Sequence, residues 1–339
     1  MRILKVILMW SFLLFGLFYL IYPRITHHPL TPVFHYANLK DYPFLLIPFV
    51  YVASYLSRAW GVFIFAFLLG GVISSFFPKE KMKNALSGKK KTSYILAALF
   101  APFLTVCSCA MIPVFGGILM AGAGIGPAVS FLLMAPASNI LALIFTAQII
   151  SGKLALARFI GSFFGAIITG YILDKTPWGK KEAEKYEKLV AQRVEEGVER
   201  NFQEKSIEAL QDALDLAKKA LPYLLVGVAL VSYVEAYLPR EVVARYLTGF
   251  KGVVLGAVIG VPMYTPTLVE VFLVKALINL GMSPGASLAF LIGAPMASIP
   301  SMLGVSRIIS PRCVITYAIL AILTGIISGL IYMMAFRTF

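Results

Sequence analysis

Cys107 and Cys109 stand one residue apart in TVCSCAMIP (residues 105–113), inside one of the most apolar stretches of the chain. On a regular helix, residues two apart point about 200° apart and cannot hold one centre together. On extended or unwound backbone they share a face. Pro113 lacks the N–H that would bond the carbonyl of Cys109, so it is expected to free that carbonyl and open the helix nearby. A CxC pair presented this way suits a soft, thiophilic centre, with the hydroxyls of Thr105 and Ser108 alongside. The competing reading is that two small buried cysteines only let helices pack closely. The motif alone does not choose between them.

The surroundings of the motif are those of a membrane protein. Of 339 residues, 59% are hydrophobic and 14% charged, and the mean hydropathy is +0.85. Soluble domains average roughly 45–50% apolar and about 25% charged. Here the excess is gathered into blocks long enough to span a bilayer. The fold class expected is all-α, a polytopic helical protein of the cell membrane. The first block, Ile7 to Tyr22, exceeds a signal-peptide core and is followed by no small-residue cleavage site, so a retained span is expected. Net charge is +14, which in a soluble chain would suggest nucleic acid. In this chain the lysines cluster beside spans, where lipid headgroups and topology account for them without a nucleic-acid partner. Lys79, Lys81, Lys83, Lys89, Lys90 and Lys91 face Glu80 alone, which places their loop in the cytoplasm.

The chain divides into an N-terminal span region and loop (1–57), a first membrane block (58–173), a charged, helix-favouring linker (174–219) and a second membrane block (220–339). From Tyr94 to Leu173 the sequence reads as almost uninterruptedly apolar, broken by Gly, Pro and a short SGK turn. The blocks resemble each other. MAPAS (134–138) returns as GAPMAS (293–298), and IITG (167–170) as IISG (326–329), so Pro136 and Pro295 share one offset with Gly170 and Gly329. Two repeats joined by a polar linker are a transporter signature, with substrate bound where they meet. Parallel and inverted arrangements both fit. Pro136 frees the carbonyl of Leu132, and Pro295 that of Leu291. Pro266 does the same for Pro262. Irregular backbone at membrane depth is tolerated where it is buried in protein or lines a cavity. Proline-broken helices around a central pathway are therefore expected.

TVCSCAMIP, the glycine-rich GGILMAGAGIGPAVSFLL, APASN and APMASIPSMLG together resemble the ArsP-like permeases, also known as the YraQ or UPF0718 predicted permeases. The resemblance runs from about residue 60 to the C-terminus. It implies export of trivalent organoarsenicals such as methylarsenite, and hence arsenical resistance, with Cys107 and Cys109 as transient ligands. In the second block GVPMYTP (260–266) stands where the first has the thiols, so the thiols are not duplicated. Cys313, in SPRC, reads as structural.

The candidate substrate-contacting residues are Cys107, Ser108, Cys109, Pro113, Pro136, Ser138, Asn139, Tyr264, Thr265, Pro266, Pro295 and Ser298. Glu270 lies well inside apolar sequence, where a charge costs about 2.5–3.5 kcal/mol. It is a candidate for carrying a coupling proton; snorkelling or an interhelical salt bridge serves equally. Lys275, five residues on, points 140° away and makes a poor direct partner. His27, His28 and His35 read as solvated loop residues, and no metal or other cofactor is expected. No Walker A pattern is read, and no HExxH, GxSxG or paired acidic motif is read as supporting catalysis, so neither ATP hydrolysis nor an enzyme is expected. The expected function is a secondary transporter for a small or metalloid solute, exporting by alternating access. The alternative is a channel or permease for a different small solute, with CSC structural. Membrane lipids are expected partners; coupling to a proton or another ion, and a homo-oligomeric state, are compatible with the sequence.

Overall fold

In lipid a backbone must satisfy its own polar groups, so apolar blocks of this length fold as helices. The computed structural model describes residues 2–26, 39–76, 85–88, 90–103, 108–195, 201–237, 246–263 and 269–336. Among them there are helices and turns and no strand. The first helices are α1 (Arg2–Thr26), α2 (Ile47–Phe76), α3 (Lys91–Phe100) and α4 (Met111–Met120). Next come α5 (Ile125–Ala137), α6 (Ile140–Phe145), a π-helical turn (Thr146–Ile150) and α7 (Gly152–Lys175). The linker holds α8 (Pro177–Glu195), and α9 (Phe202–Tyr237) carries the chain back into apolar sequence. The second block contains α10 (Gly249–Gly260), α11 (Val269–Asn279), α12 (Pro284–Met296), α13 (Ile299–Val305) and α14 (Pro311–Phe336).

Four segments of the described residues are long and apolar enough to cross a membrane: Ile125–Ile150, Gly152–Lys175, Pro284–Val305 and Pro311–Phe336. The bent helix α2 brings the number to five. The protein is a multi-pass helical membrane protein. The starts of α12 and α14 each fall 159 residues after those of α5 and α7, the same spacing as Pro136 to Pro295.

The exposed faces follow that spacing as well. Leu156, Ile160, Phe164, Ile168 and Ile172 form an outward stripe on α7, and Ile315, Ile319, Leu323, Ile327 and Ile331 form one on α14. Residues four apart lie on one helix face, so each stripe is a surface for lipid. α5 is buried along its whole length and α12 from Gly285 to Met296. These two short helices pack against each other in the middle, flanked by α7 and α14.

Such packing needs small residues where backbones meet. A Cβ on Gly170 of α7 would lie 2.3 Å from the carbonyl oxygen of Gly126 on α5. A Cβ on Gly329 of α14 would lie 2.5 Å from that of Gly285 on α12. The N-terminal end of α5 is held further by Asp174, whose carboxylate accepts the Gly126 N–H at 2.9 Å and the Tyr94 hydroxyl. That hydroxyl also lies 3.0 Å from the Gly88 carbonyl. The turn at Gly88 therefore meets the same end of α7 from which α8 departs.

The linker is more than a solvated tether. The Trp178 indole donates to Thr316 Oγ1 at 3.0 Å, and the Tyr186 hydroxyl donates to the Ile308 carbonyl at 2.8 Å. Burial, aided by the Glu182 carboxylate, pushes the Tyr186 phenol above its usual range, so it stays a donor. α8 thus rests on α4, α5, α7 and α14. One continuous helix, α9, runs through the boundary expected at 219–220.

Gly170→Val and Gly329→Val should each force two backbones apart and lower stability by about 1–3 kcal/mol or more. Gly152→Ala, where nothing lies within 4 Å, should be near neutral. Thermal unfolding of the purified protein in one detergent compares the three.

Candidate functional site

Pro136 stands in the last turn of α5 and Pro295 in the last turn of α12, and each helix ends one residue later. The chain then turns sharply at Ser138 (φ −143°, ψ 38°) and Ala297 (φ −137°, ψ 53°) before α6 and α13 begin. Both breaks lie deep inside the protein. Between them is a small cavity lined by Ser108, Leu132, Pro136, Pro295, Met296, Ser301, Val305 and Tyr317. It holds about 10 Å³ of water-accessible space, room for about one water. Among the described residues no charged side chain lines it.

Three of the residues expected from sequence meet in this cavity: Ser108, Pro136 and Pro295. Others sit just behind it. Cys109 is fully buried next to Ser108. Asn139 is spent on structure, its side chain accepting the Ala142 N–H at 2.8 Å to cap α6. The Ser138 hydroxyl points to the Arg158 carbonyl at 3.4 Å. Ser298 bonds Ser301, a cavity residue, through their hydroxyls at 2.8 Å. Cys107, Tyr264, Thr265 and Pro266 lie outside the described residues, as do His27, His28 and His35.

Pro113 does something other than expected. α4 starts at Met111, so Pro113 lies in its first turn, where a helix N–H has no intrahelical partner to lose. The Cys109 carbonyl is not freed: it accepts the Ile112 N–H at 3.3 Å. Pro113 helps to start a helix rather than break one.

The ionic core of the site was missed in the sequence reading. Arg158, in ALARFIGS on α7, is fully buried, within a stretch read as apolar apart from Gly, Pro and a turn. Its Nε donates to the Ala137 carbonyl at 2.7 Å, at the broken end of α5. Its Nη1 donates to Thr146 Oγ1 at 3.1 Å, where the π turn begins. Its Nη2 bonds Glu270 Oε1 on α11, which is 1% exposed. The interhelical salt bridge weighed for Glu270 is therefore formed, with Arg158 and not with Lys275.

The pair also fits the ends of the helices. A helix C-terminus leaves carbonyls unpaired and carries partial negative charge, and a cation is favoured there. Arg158 supplies that cation to α5. Glu270 lies in the first turn of α11, where a carboxylate is favoured in turn. One ion pair thus quiets two helix ends at membrane depth. The available signal was the one that singled out Glu270: an ionisable residue inside apolar sequence usually faces a partner or a cavity.

A family model described as predicted permease (ArsP_1) matches residues 38–334. The chain belongs to this family. Among its relatives, UPF0718 protein MJ0584 of Methanocaldococcus jannaschii is 26% identical, with 79% of this chain and 90% of that protein aligned. UPF0718 protein YraQ of Escherichia coli K12 is 22% identical, over 83% of this chain and 79% of its own length. No solved structure matches the chain.

Two further patterns in this permease have structural explanations. GMSPG (281–285) has GxSxG spacing, but it joins two helices rather than a strand to a helix. Ser283 caps α12 there, its hydroxyl accepting the Ala286 N–H at 3.3 Å. Cys313, at the start of α14, accepts the Ser310 hydroxyl at 3.3 Å. Among the described residues no three His, Cys, Asp or Glu side chains gather in a metal-holding group.

Removing one member of the buried pair leaves a desolvated charge. Arg158→Ala or Glu270→Ala should each cost about 3–5 kcal/mol, and the apolar double variant Arg158→Met/Glu270→Leu much less than their sum. Thermal unfolding in nanodiscs gives the double-mutant cycle, and additive losses would refute the coupling.

Proposed function

We propose that this permease exports a small, soft, thiol-reactive solute across the cell membrane, a trivalent organoarsenical being the first candidate. Transport proceeds by alternating access between two repeats, one ending in the α5–α7 unit and the other in the α12–α14 unit. The observation that carries this reading is the central cavity. It gathers Ser108 of the CSC motif with Pro136 and Pro295, the two residues that break the central helices. Backbone freed by a proline at that depth belongs beside a pathway. Leu132, whose carbonyl loses its helical donor to Pro136, lines the same space.

A cavity with room for about one water is an occluded form of such a pathway. Passage of a larger solute requires the ends of α5 and α12 to separate. In that movement the thiols pass the solute by exchange, since a thiolate binds a soft centre tightly but reversibly.

One observation favours the other reading, a permease or channel for a different small solute with CSC in a packing role. Cys109 is fully buried in the hydrophobic core, and its neighbour Ser108 lines the cavity in its place. The two readings part in one assay. Everted membrane vesicles carrying wild type should accumulate methylarsenite, and those with equal amounts of Cys107→Ser/Cys109→Ser should lose most of that uptake. Equal uptake by both would assign the thiols to packing. Uptake by neither would remove the organoarsenical as substrate.

A further inference from the structure

Arg158 and Glu270 are the only charged pair that ties α7 of the first block to α11 of the second among the described residues. Neither side chain reaches water: their exposures are 0% and 1%. The guanidinium touches three elements at once: the end of α5 at Ala137, the π turn at Thr146, and α11 at Glu270. Ala137 directly follows Pro136, which is a wall of the cavity. The grip of Arg158 on the Ala137 carbonyl therefore braces the chain beside one wall of the cavity.

The two charges are not equivalent. Arginine stays protonated under all accessible conditions, whereas a glutamate can be neutralised by one proton. We propose that Glu270 takes up and releases the proton that couples transport, and that Arg158 converts its charge state into opening of the α5 break. The proposal deepens the permease reading and rests on it. When a proton from bulk water binds Glu270, the carboxylate becomes a neutral acid and the guanidinium loses its counter-charge. An unpaired arginine at membrane depth is unfavourable, so the side chain leaves its pocket for a wetter position. Ala137 is released with it. Loss of the proton to the other side restores the carboxylate, the ion pair and the closed break. The proton gained at Glu270 on one side equals the proton released on the other.

The surroundings leave this titration to the pair. α11 packs against α12 and the π turn, neither of which carries a titratable side chain. Lys275 is on α11 itself, 140° around the helix from Glu270. Among the described residues Arg158 is the only charged group facing Glu270. The π turn beside it is a further mark of a working segment, since such turns are rare and concentrate at functional sites.

The test reads the opening directly and needs no substrate. Cys107→Ser/Cys313→Ser leaves Cys109 as the single thiol, next to the cavity residue Ser108. Its labelling by a small maleimide in proteoliposomes is measured from neutral to acidic pH, relative to the same protein unfolded. This normalisation removes the fall in thiolate at low pH. Relative labelling should rise several-fold on acidification. With Glu270→Gln it should stay at the higher value at every pH. The neutral pair Arg158→Gln/Glu270→Gln, which leaves no charge stranded, should also lose the pH response. A pH response in either variant equal to that of wild type, or none in wild type, overturns the proposal. A normal Cys109 response with no methylarsenite uptake by wild type would remove the substrate and keep the coupling. Proton-driven methylarsenite uptake that survives Glu270→Gln would do the reverse.

Discussion

A charge inside a bilayer must be answered by another, and the architecture of this permease is arranged around one such answer. Arg158 and Glu270 come from opposite blocks of the chain and meet where water does not reach. Their bond is also a helix-capping device. The arginine accepts responsibility for the carbonyl end of α5, and the glutamate sits at the amide end of α11. Without the pair, the broken end of α5 would leave backbone carbonyls unsatisfied in a medium that offers no substitute donors. The short central helices and the buried charges are therefore two sides of one constraint.

The remaining structure serves to bring those broken ends together. Glycine pairs let α5 and α12 lie against α7 and α14 backbone to backbone, while the outer faces of α7 and α14 turn isoleucine, leucine and phenylalanine to lipid. Asp174 and Tyr94 fix the start of α5, and the linker helix α8 is bonded to Ile308 just beyond α13. The walls of the cavity are thus anchored at both ends.

The two blocks share spacing but not chemistry at their breaks. Position 158 is arginine and position 317, one offset later, is tyrosine; position 270 is glutamate and position 111, one offset earlier, is methionine. The first combination forms an ion pair away from the cavity. In the second, Tyr317 lines the cavity itself, beside the serine of the CSC motif. Positions one offset apart thus hold an ion pair in one place and a neutral cavity wall in the other.

Much of this was legible in one dimension. Hydropathy blocks determine that the chain is a helical membrane protein, because lipid leaves the backbone few choices. The recurrence of Pro136 as Pro295 locates both helix breaks, because proline removes the same hydrogen bond wherever it stands. Other assignments depended on position within an element. Pro113 reads as a breaker until the start of α4 at Met111 shows it in the first turn, where no bond is lost. Asn139 reads as a solute contact until its side chain is seen capping α6. Arg158 and Glu270 each stand out as a charge inside apolar sequence, but Glu270 had only Lys275 for company in sequence. Their partnership spans 112 residues. Sequence by itself determined that the chain is helical and membrane-embedded and where the two central helices end; only the tertiary structure decided which buried charges meet, because ion pairing acts through space and a chain carries no local record of it.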